Sequence, residues 1–180
     1  SDIFSYQNFE LKDLAEFPEL LRSNSTLSGL NVTIPYKEKI IPFLDELRNH
    51  ALEVRAVNTI CIERDQTGKV IHTSGYNTDV TGFYETMKPL LKEHHSGALV
   101  LGSGGASKAV IYALKLLSIP CRIVSRNNAA GAIAYSEITD VLLKQFPVVV
   151  NTTPLGTFPD INSCPEIPYG QLGPMNLLYD

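Results

Sequence analysis

The sequence predicts an α/β protein, with an α/β first half and an open, doubly wound second half. Three observations carry that prediction. The apolar run Ala98-Leu99-Val100-Leu101 leads through a glycine-rich turn into the helical run Lys108–Leu117. Two further β-like runs, Cys121–Ser125 and Val148–Asn151, follow with the helical stretch Ile138–Phe146 between them, the alternation that gives a parallel sheet. In the first half, alternating or β-branched runs are separated by segments of helical spacing.

Taken in order, Tyr6 to Leu11 reads as an edge strand and Asp13 to Leu21 as a short amphipathic segment. Leu30–Ile34 alternates as a strand does, and Pro35 ends it. Lys37 to Leu47 shows a helical face at Ile40, Ile41, Phe43, Leu44 and Leu47, with Pro42 as a kink or a first turn. Val57–Ile62 is a β-branched strand, and Gln66-Thr67-Gly68 turns it into Lys69–Thr73 as a hairpin. Asp79 or Thr81 caps a helix over Gly82–Lys92. In the second half Val148–Asn151 is a buried parallel strand, Asn151–Gly156 leaves its carboxyl end as a loop, and Met175–Tyr179 is one more strand. The expected domains are 1–82 and 83–180.

Composition bounds the function. The chain has 180 residues, 44% hydrophobic and 19% charged, as an ordinary globular protein does. A net charge of −4 lacks the basic footprint of a nucleic-acid binder. No apolar run approaches the length of a membrane span and no signal peptide appears, and free rather than disulfide-bonded cysteines suit a reducing cytoplasm. Cys61, Cys121 and Cys164 are odd in number and far apart, against a disulfide framework or a zinc site, so no metal is expected. Two of them lie in apolar runs and read as buried free thiols. None of the four histidines falls in a motif, and His94-His95 reads as a solvated connector.

Gly102-Ser103-Gly104-Gly105-Ala106-Ser107 is the most informative stretch. Strand, glycine turn and helix together form the context of a dinucleotide site, with phosphates meeting free N–H groups at the helix start. The third small position is Ser107 rather than Gly or Ala. An NAD site calls for an acid at the end of the next strand, to hold the ribose. Here that end reads Ser125-Arg126, and a guanidinium suits a 2′-phosphate, which favours NADP. The plainer reading of Arg126 is a solvated loop residue.

Three polar stretches mark the first half: Asn31-Val32-Thr33-Ile34-Pro35-Tyr36-Lys37, Ala56-Val57-Asn58-Thr59 and Gly75-Tyr76-Asn77-Thr78-Asp79. Asn and Thr suit a hydroxyl-rich ligand, and Lys37 with Asp79 could move a proton. The plainer reading is that Asn and Asp form turns. Tyr36 and Tyr76 flank these residues, as cleft lining or as packing.

With the glycine turn and Asn151-Thr152-Thr153-Pro154-Leu155-Gly156, these stretches resemble the ordered signatures of the shikimate dehydrogenase family. The resemblance spans Asn31 to Gly156. It implies a substrate domain joined to a Rossmann-like NADP domain, with a cleft between them. It also implies reversible NADPH-dependent reduction of 3-dehydroshikimate to shikimate, in aromatic amino-acid (chorismate) biosynthesis. By that resemblance Lys37 is the catalytic lysine and Asp79 its partner, and Asn31, Thr33, Lys37, Asn58 and Asp79 hold the substrate. Gly102, Ser103, Gly104, Gly105 and Ala106 form the phosphate loop. Ser125 and Arg126 grip the adenosine phosphate, and Asn151, Thr152 and Thr153 form the nicotinamide-side loop. The protein would act as a monomer or homodimer on a small molecule.

The chain departs from the family pattern in three places. The family's opening strand and helix, with two substrate-binding serines, have no counterpart in these residues. Its closing helices, with a glutamine near the substrate, have none either. Asn127-Asn128-Ala129-Ala130 replaces the usual Thr and second basic residue after Arg126, which weakens the expected 2′-phosphate grip. Two alternatives stay open: an NAD-using quinate/shikimate dehydrogenase, and a non-catalytic nucleotide-binding fragment.

Overall fold

A computed structural model describes residues 5–126 and 131–180. The chain divides into two compact units, one ending at Tyr76 and one beginning at Asn77. The division falls ahead of Gly82, the expected boundary, which lies inside a helix of the second unit.

The first unit carries a four-stranded mixed sheet. Its strands are β1 (Gly29–Asn31), β2 (Glu46–Leu47), β3 (Thr59–Arg64) and β4 (Val70–Tyr76), in the order β1-β3-β4-β2. β3 and β4 form the expected hairpin, β1 runs antiparallel to β3, and β2 runs parallel to β4. Along β3, Ile60 and Ile62 are buried while Cys61 and Glu63 are exposed, so one face meets the core and the other solvent. Helix α1 (Phe17–Ser23) covers the apolar face, adding Phe17 and Leu21 to Leu14, Ile40, Ala51, Val57 and Ile60. A single turn, α2 (Ala51–Val54), precedes β3.

Several expectations for this unit fail for local reasons. Residues 5–11 form no strand. β1 stops at Asn31 instead of running to Ile34. Lys37–Leu47 is not a helix: Pro42 starts a 3-10 turn, Ile41–Phe43, and the chain then extends into β2. Ile40 there is 2% exposed and Ile41, Leu44 and Leu47 pack partly buried against the core, while Phe43 of the same spacing stays exposed.

Side chains tie β2 to β4. Asp45 Oδ2 accepts from the Thr73 N–H and Oγ1, both at 2.8 Å. Glu46 Oε1 accepts from Arg48 Nε and from Ser74 Oγ at 3.0 Å, and lies 3.1 Å from His72 Nε2. The Arg48, His72 and Ser74 bonds bring the Glu46 carboxyl down to about 2.

Arg64 is a staple that propensity does not reveal. Its guanidinium donates to the carbonyls of Leu27 (3.0 Å), Gly68 (2.8 Å), Leu21 (2.9 Å) and Asn24 (2.9 Å). These carbonyls include the carboxyl end of α1, where a cation also meets the helix dipole favourably. Arg64→Ala is expected to cost about 2–4 kcal/mol in urea unfolding, since it leaves several carbonyls without their charged donor. A loss below about 0.5 kcal/mol, the surface-substitution range, would show that water replaces the guanidinium freely.

The second unit begins with α3 (Asp79–Met87), earlier than the expected start at Gly82. Thr78 stands at the N-cap and makes no side-chain capping bond, so neither Asp79 nor Thr81 is the cap. The Val80 N–H is taken instead by Asn77 Oδ1, at 3.2 Å. Pro89 turns the helix end into a 3-10 turn, Lys88–Leu90.

A fully parallel sheet follows: β5 (Ala98–Leu101), β6 (Cys121–Val124), β7 (Val148–Asn151) and β8 (Leu177–Tyr179), in the order β6-β5-β7-β8. Helix α4 (Gly105–Leu116) links β5 to β6 and packs against α3, and α5 (Asp140–Gln145), capped by Thr139, precedes β7. β5 is buried throughout and β7 nearly so, as central strands covered on both faces must be. The chain leaves β5 toward β6 and returns to β7 on the other side of β5. The crevice at the carboxyl ends of β5 and β7 is therefore the topological switch point.

Three smaller corrections concern cysteine and histidine. All three cysteines are free thiols, but Cys61 is exposed and Cys121 only half-buried. Burial nevertheless pushes the Cys121 thiol up. His95, expected in solvent, is 5% exposed, and its Nδ1 accepts the Lys92 N–H at 3.0 Å.

Burial first, then the nearby charges of His94 and Lys92, lower the pKa of His95 from the ordinary 6.5. A lowered folded pKa means that unfolding takes up a proton. The neutral ring's contribution is full above about pH 6.5 and is lost as pH falls from there through the folded value. Urea midpoints compared at pH 8 and pH 5 should fall more for the native chain than for His95→Gln; equal falls would remove His95 from the acid response.

Candidate active site

The predicted residues gather in two groups, one in each unit. In the first unit, antiparallel pairing sets Asn31 opposite Thr59. Asn58-Thr59 stands at the amino end of β3, whereas Asn31 and Tyr76 stand at carboxyl ends. All three nevertheless come to one end of the sheet. The Val32 N–H donates to the Asn58 carbonyl at 2.8 Å, and the Asn58 N–H to the Tyr76 carbonyl at 3.0 Å. The Val57 N–H donates to the Lys37 carbonyl at 2.7 Å. Asn31 and Thr33 are exposed there, and Lys37 and Asn58 are half-buried. Neutral hydroxyl and amide side chains at this sheet end, with Lys37 held in the adjoining loop by its backbone, are the residue types that suit a polyhydroxylated ligand and proton transfer.

Tyr36 anchors this arrangement: its hydroxyl donates to the carbonyls of Leu11 (2.9 Å) and Lys12 (3.2 Å), and its ring packs on the core. Asp79 belongs to the second unit, where it is the first residue of α3. A carboxylate there also suits the positive end of the helix dipole.

The second group lies at the switch point. Gly102 has φ +107°, a conformation L side chains rarely adopt. A Cβ at Gly102 would stand 2.9 Å from Thr152 Oγ1 and 3.2 Å from Thr153 Cγ2. The glycine turn and the Asn151–Thr153 loop are therefore pressed together. Thr152 Oγ1 donates to the Leu101 carbonyl at 2.6 Å, and the Gly102 N–H to the Val124 carbonyl at 2.8 Å. Ser103 Oγ lies 3.2 Å from Ser125 Oγ, which brings in the loop after β6.

Arg126 follows as an exposed residue whose charge reaches Tyr135. Burial outweighs that charge and pushes the Tyr135 phenol up. Residues 127–130, expected to shape the adenosine end, lie outside the described residues.

This geometry fits a dinucleotide. Gly104 caps α4 with no side-chain bond, and a Cβ there would meet nothing within 4 Å, so the start of α4 faces open space. Such a helix start attracts phosphate through its N–H groups and dipole. Ser107, the imperfect third position, is 1% exposed, and its hydroxyl donates to the Gly104 carbonyl at 2.6 Å. A small, satisfied side chain thus does the packing expected of Gly or Ala.

The side chains of Asn151 and Thr152 serve the loop itself. Asn151 Oδ1 accepts from the Thr153 N–H (3.0 Å) and Thr153 Oγ1 (2.7 Å). A cavity of about 230 Å³ opens beside them, lined by Leu101, Val149, Asn151, Tyr169 and Asp180 among others. Tyr169 and Asp180 carry no motif, and only the pairing of β8 with β7 could have found Asp180. No helix of the described residues is long and apolar enough to cross a membrane. No cluster of three or more His, Cys, Asp or Glu among them could hold a metal.

Known proteins resemble this chain over most of its length. Residues 3–60 match the shikimate dehydrogenase substrate binding domain. The shikimate dehydrogenase (NADP(+)) of Caldicellulosiruptor bescii is 35% identical over 176 residues, covering 89% of this chain and 59% of that protein. The crystal structure of shikimate 5-dehydrogenase from Thermus thermophilus in complex with NADP(H) and shikimate is 26% identical, with TM-score 0.72, over 93% of this chain and 63% of that one. Quinate dehydrogenase from Corynebacterium glutamicum in complex with NAD is 29% identical, with TM-score 0.70, over 89% and 61%. The chain thus spans less than two thirds of the length of these relatives.

Proposed function

This chain belongs to the shikimate dehydrogenase family, and from that membership we propose that it serves the reversible NADPH-dependent reduction of 3-dehydroshikimate to shikimate. The observation that carries the reading is the meeting of three separate loops at the β5/β7 switch point, around an uncapped helix start. Gly102–Ala106 would hold the pyrophosphate, Ser125 and Arg126 the adenosine phosphate, and Asn151–Thr153 would shape the nicotinamide side. When bound, NADPH supplies the hydride.

The chain's own residues do the rest. Asn31, Thr33 and Asn58 bind and orient the ring hydroxyls through neutral hydrogen bonds. Lys37 presents its ammonium to the carbonyl oxygen, offsets the negative charge that develops there and gives it a proton. In the oxidation direction the same amine takes that proton back. Asp79, the first residue of α3, takes its part in the chemistry from the family resemblance. The substrate is a small molecule, and the net charge of −4 leaves nucleic acid out of the reading.

The absence of an acid after β6, with Arg126 in its place, supports NADP over NAD. Likeness to an NAD-bound quinate dehydrogenase supplies the second reading. Steady-state oxidation followed by reduced-nicotinamide absorbance separates them, with shikimate and quinate each paired with NADP and NAD. Turnover confined to NADP with shikimate is the expected result; preference for NAD with quinate installs the second reading. Nucleotide binding with no turnover on any pair would mark a non-catalytic binding module.

A further inference from the structure

Asp180 follows β8 directly and so lies beside Asn151 at the end of β7, because Val150 is paired with Tyr179. Its Oδ1 accepts from Asn151 Nδ2 at 2.7 Å. The same nitrogen donates to the Leu155 carbonyl at 3.3 Å. The other end of the amide, Oδ1, accepts from the Thr153 N–H and hydroxyl, and Thr153 Oγ1 in turn accepts from the Leu155 N–H at 3.3 Å. Asn151 therefore uses both donors and both acceptor sites of its side chain. An amide alone can face either way; the Asp180 carboxylate and the Leu155 carbonyl only accept and the Thr153 N–H only donates, so together they fix the NH₂ toward Asp180 and the carbonyl toward Thr153, with Asp180 supplying the charge-assisted bond of the set. That orientation closes the 151–155 turn, which brings Thr152 Oγ1 to the Leu101 carbonyl and Thr153 against Gly102.

We propose that Asp180 is a positioning residue for the dinucleotide site: acting through Asn151, it sets the loop that abuts the glycine turn. The proposal rests on the dinucleotide reading above. Asp180 touches neither cofactor nor substrate in this role, and its effect passes through one amide.

The test uses Asp180→Ala and Asp180→Asn in the complete protein, with two readouts. One is hydrogen exchange at the Thr153 and Leu155 amides, and the other is NADPH affinity from the fluorescence of NADPH itself. Asp180→Ala should speed exchange at both amides and weaken NADPH binding, each about tenfold, as loss of one charge-assisted bond predicts. Its melting temperature should stay near that of the parent. Asp180→Asn should restore both readouts, because its carbonyl can accept the same bond. Unchanged exchange in Asp180→Ala overturns the proposal, as does faster exchange with unchanged affinity. Failure of the parent to bind NADPH would overturn the dinucleotide reading itself, a result separate from either of these.

Discussion

Lys37→Ala is expected to lower kcat by about 10²–10⁴-fold, the usual contribution of a positioned acid–base group, with little change in KM for shikimate. The expectation rests on how the backbone holds this residue. The Lys37 carbonyl is bonded to the N–H of buried Val57, and buried Ile40 lies one turn on. Alanine leaves that bond in place, so the variant removes the ammonium without freeing the loop, and its melting temperature should match the parent's. Lys37→Arg separates charge from proton transfer. It keeps a cation near the developing alkoxide, but a guanidinium does not give up its proton in this range, so it should not restore turnover. A variant that loses only KM would place Lys37 among the binding groups, and an unchanged kcat would remove it from the chemistry.

Gly102→Ala is expected to weaken NADPH binding by roughly tenfold or more while leaving shikimate binding intact. Two costs combine. A side chain at φ +107° is strained by about 1–3 kcal/mol. The new Cβ would also stand 2.9 Å from Thr152 Oγ1, and that hydroxyl cannot retreat without breaking its 2.6 Å bond to the Leu101 carbonyl. Relief moves either the glycine turn or the 151–153 loop, and both belong to the same site. Fluorescence titration with NADPH reads the loss, and raising NADPH well above the new Kd should recover most of the turnover, since each tenfold in affinity corresponds to about 1.4 kcal/mol. An affinity within twofold of the parent would mean that the turn only connects strand to helix.

The core strands of the second unit were legible because they obey simple rules. Val148–Asn151 and Ala98–Leu101 are continuous apolar runs, as strands covered on both faces must be. The hairpin at Gln66-Thr67-Gly68 was legible from turn chemistry. The misread stretch, Lys37–Leu47, has helical spacing but contains Pro42, and a proline in that place ends a helix more strongly than spacing proposes one. The early start of α3 was missed because its cap is shared: Thr78 holds the position and Asn77 supplies the bond.

The candidate site divides in the same way. Motif residues such as Asn31, Lys37, Gly102 and Asn151 could be named from the sequence, since residue type and local spacing carry their chemistry. Asn58 reached the same sheet end as Asn31 only through the antiparallel pairing of β1 with β3, which no local pattern encodes. Arg64, His95 and Asp180 were invisible for one shared reason: each acts through contacts defined by the folded chain. Arg64 collects carbonyls from Leu21 to Gly68, His95 is buried by a turn, and Asp180 reaches Asn151 across a strand pair. The sequence by itself determined the α/β class, the glycine turn and the chemical types at the site, all of which rest on short-range sterics and periodicity. Tertiary structure alone decided which of those groups meet and which side chains hold them there, because long-range pairing sets distances between residues that are far apart in the chain.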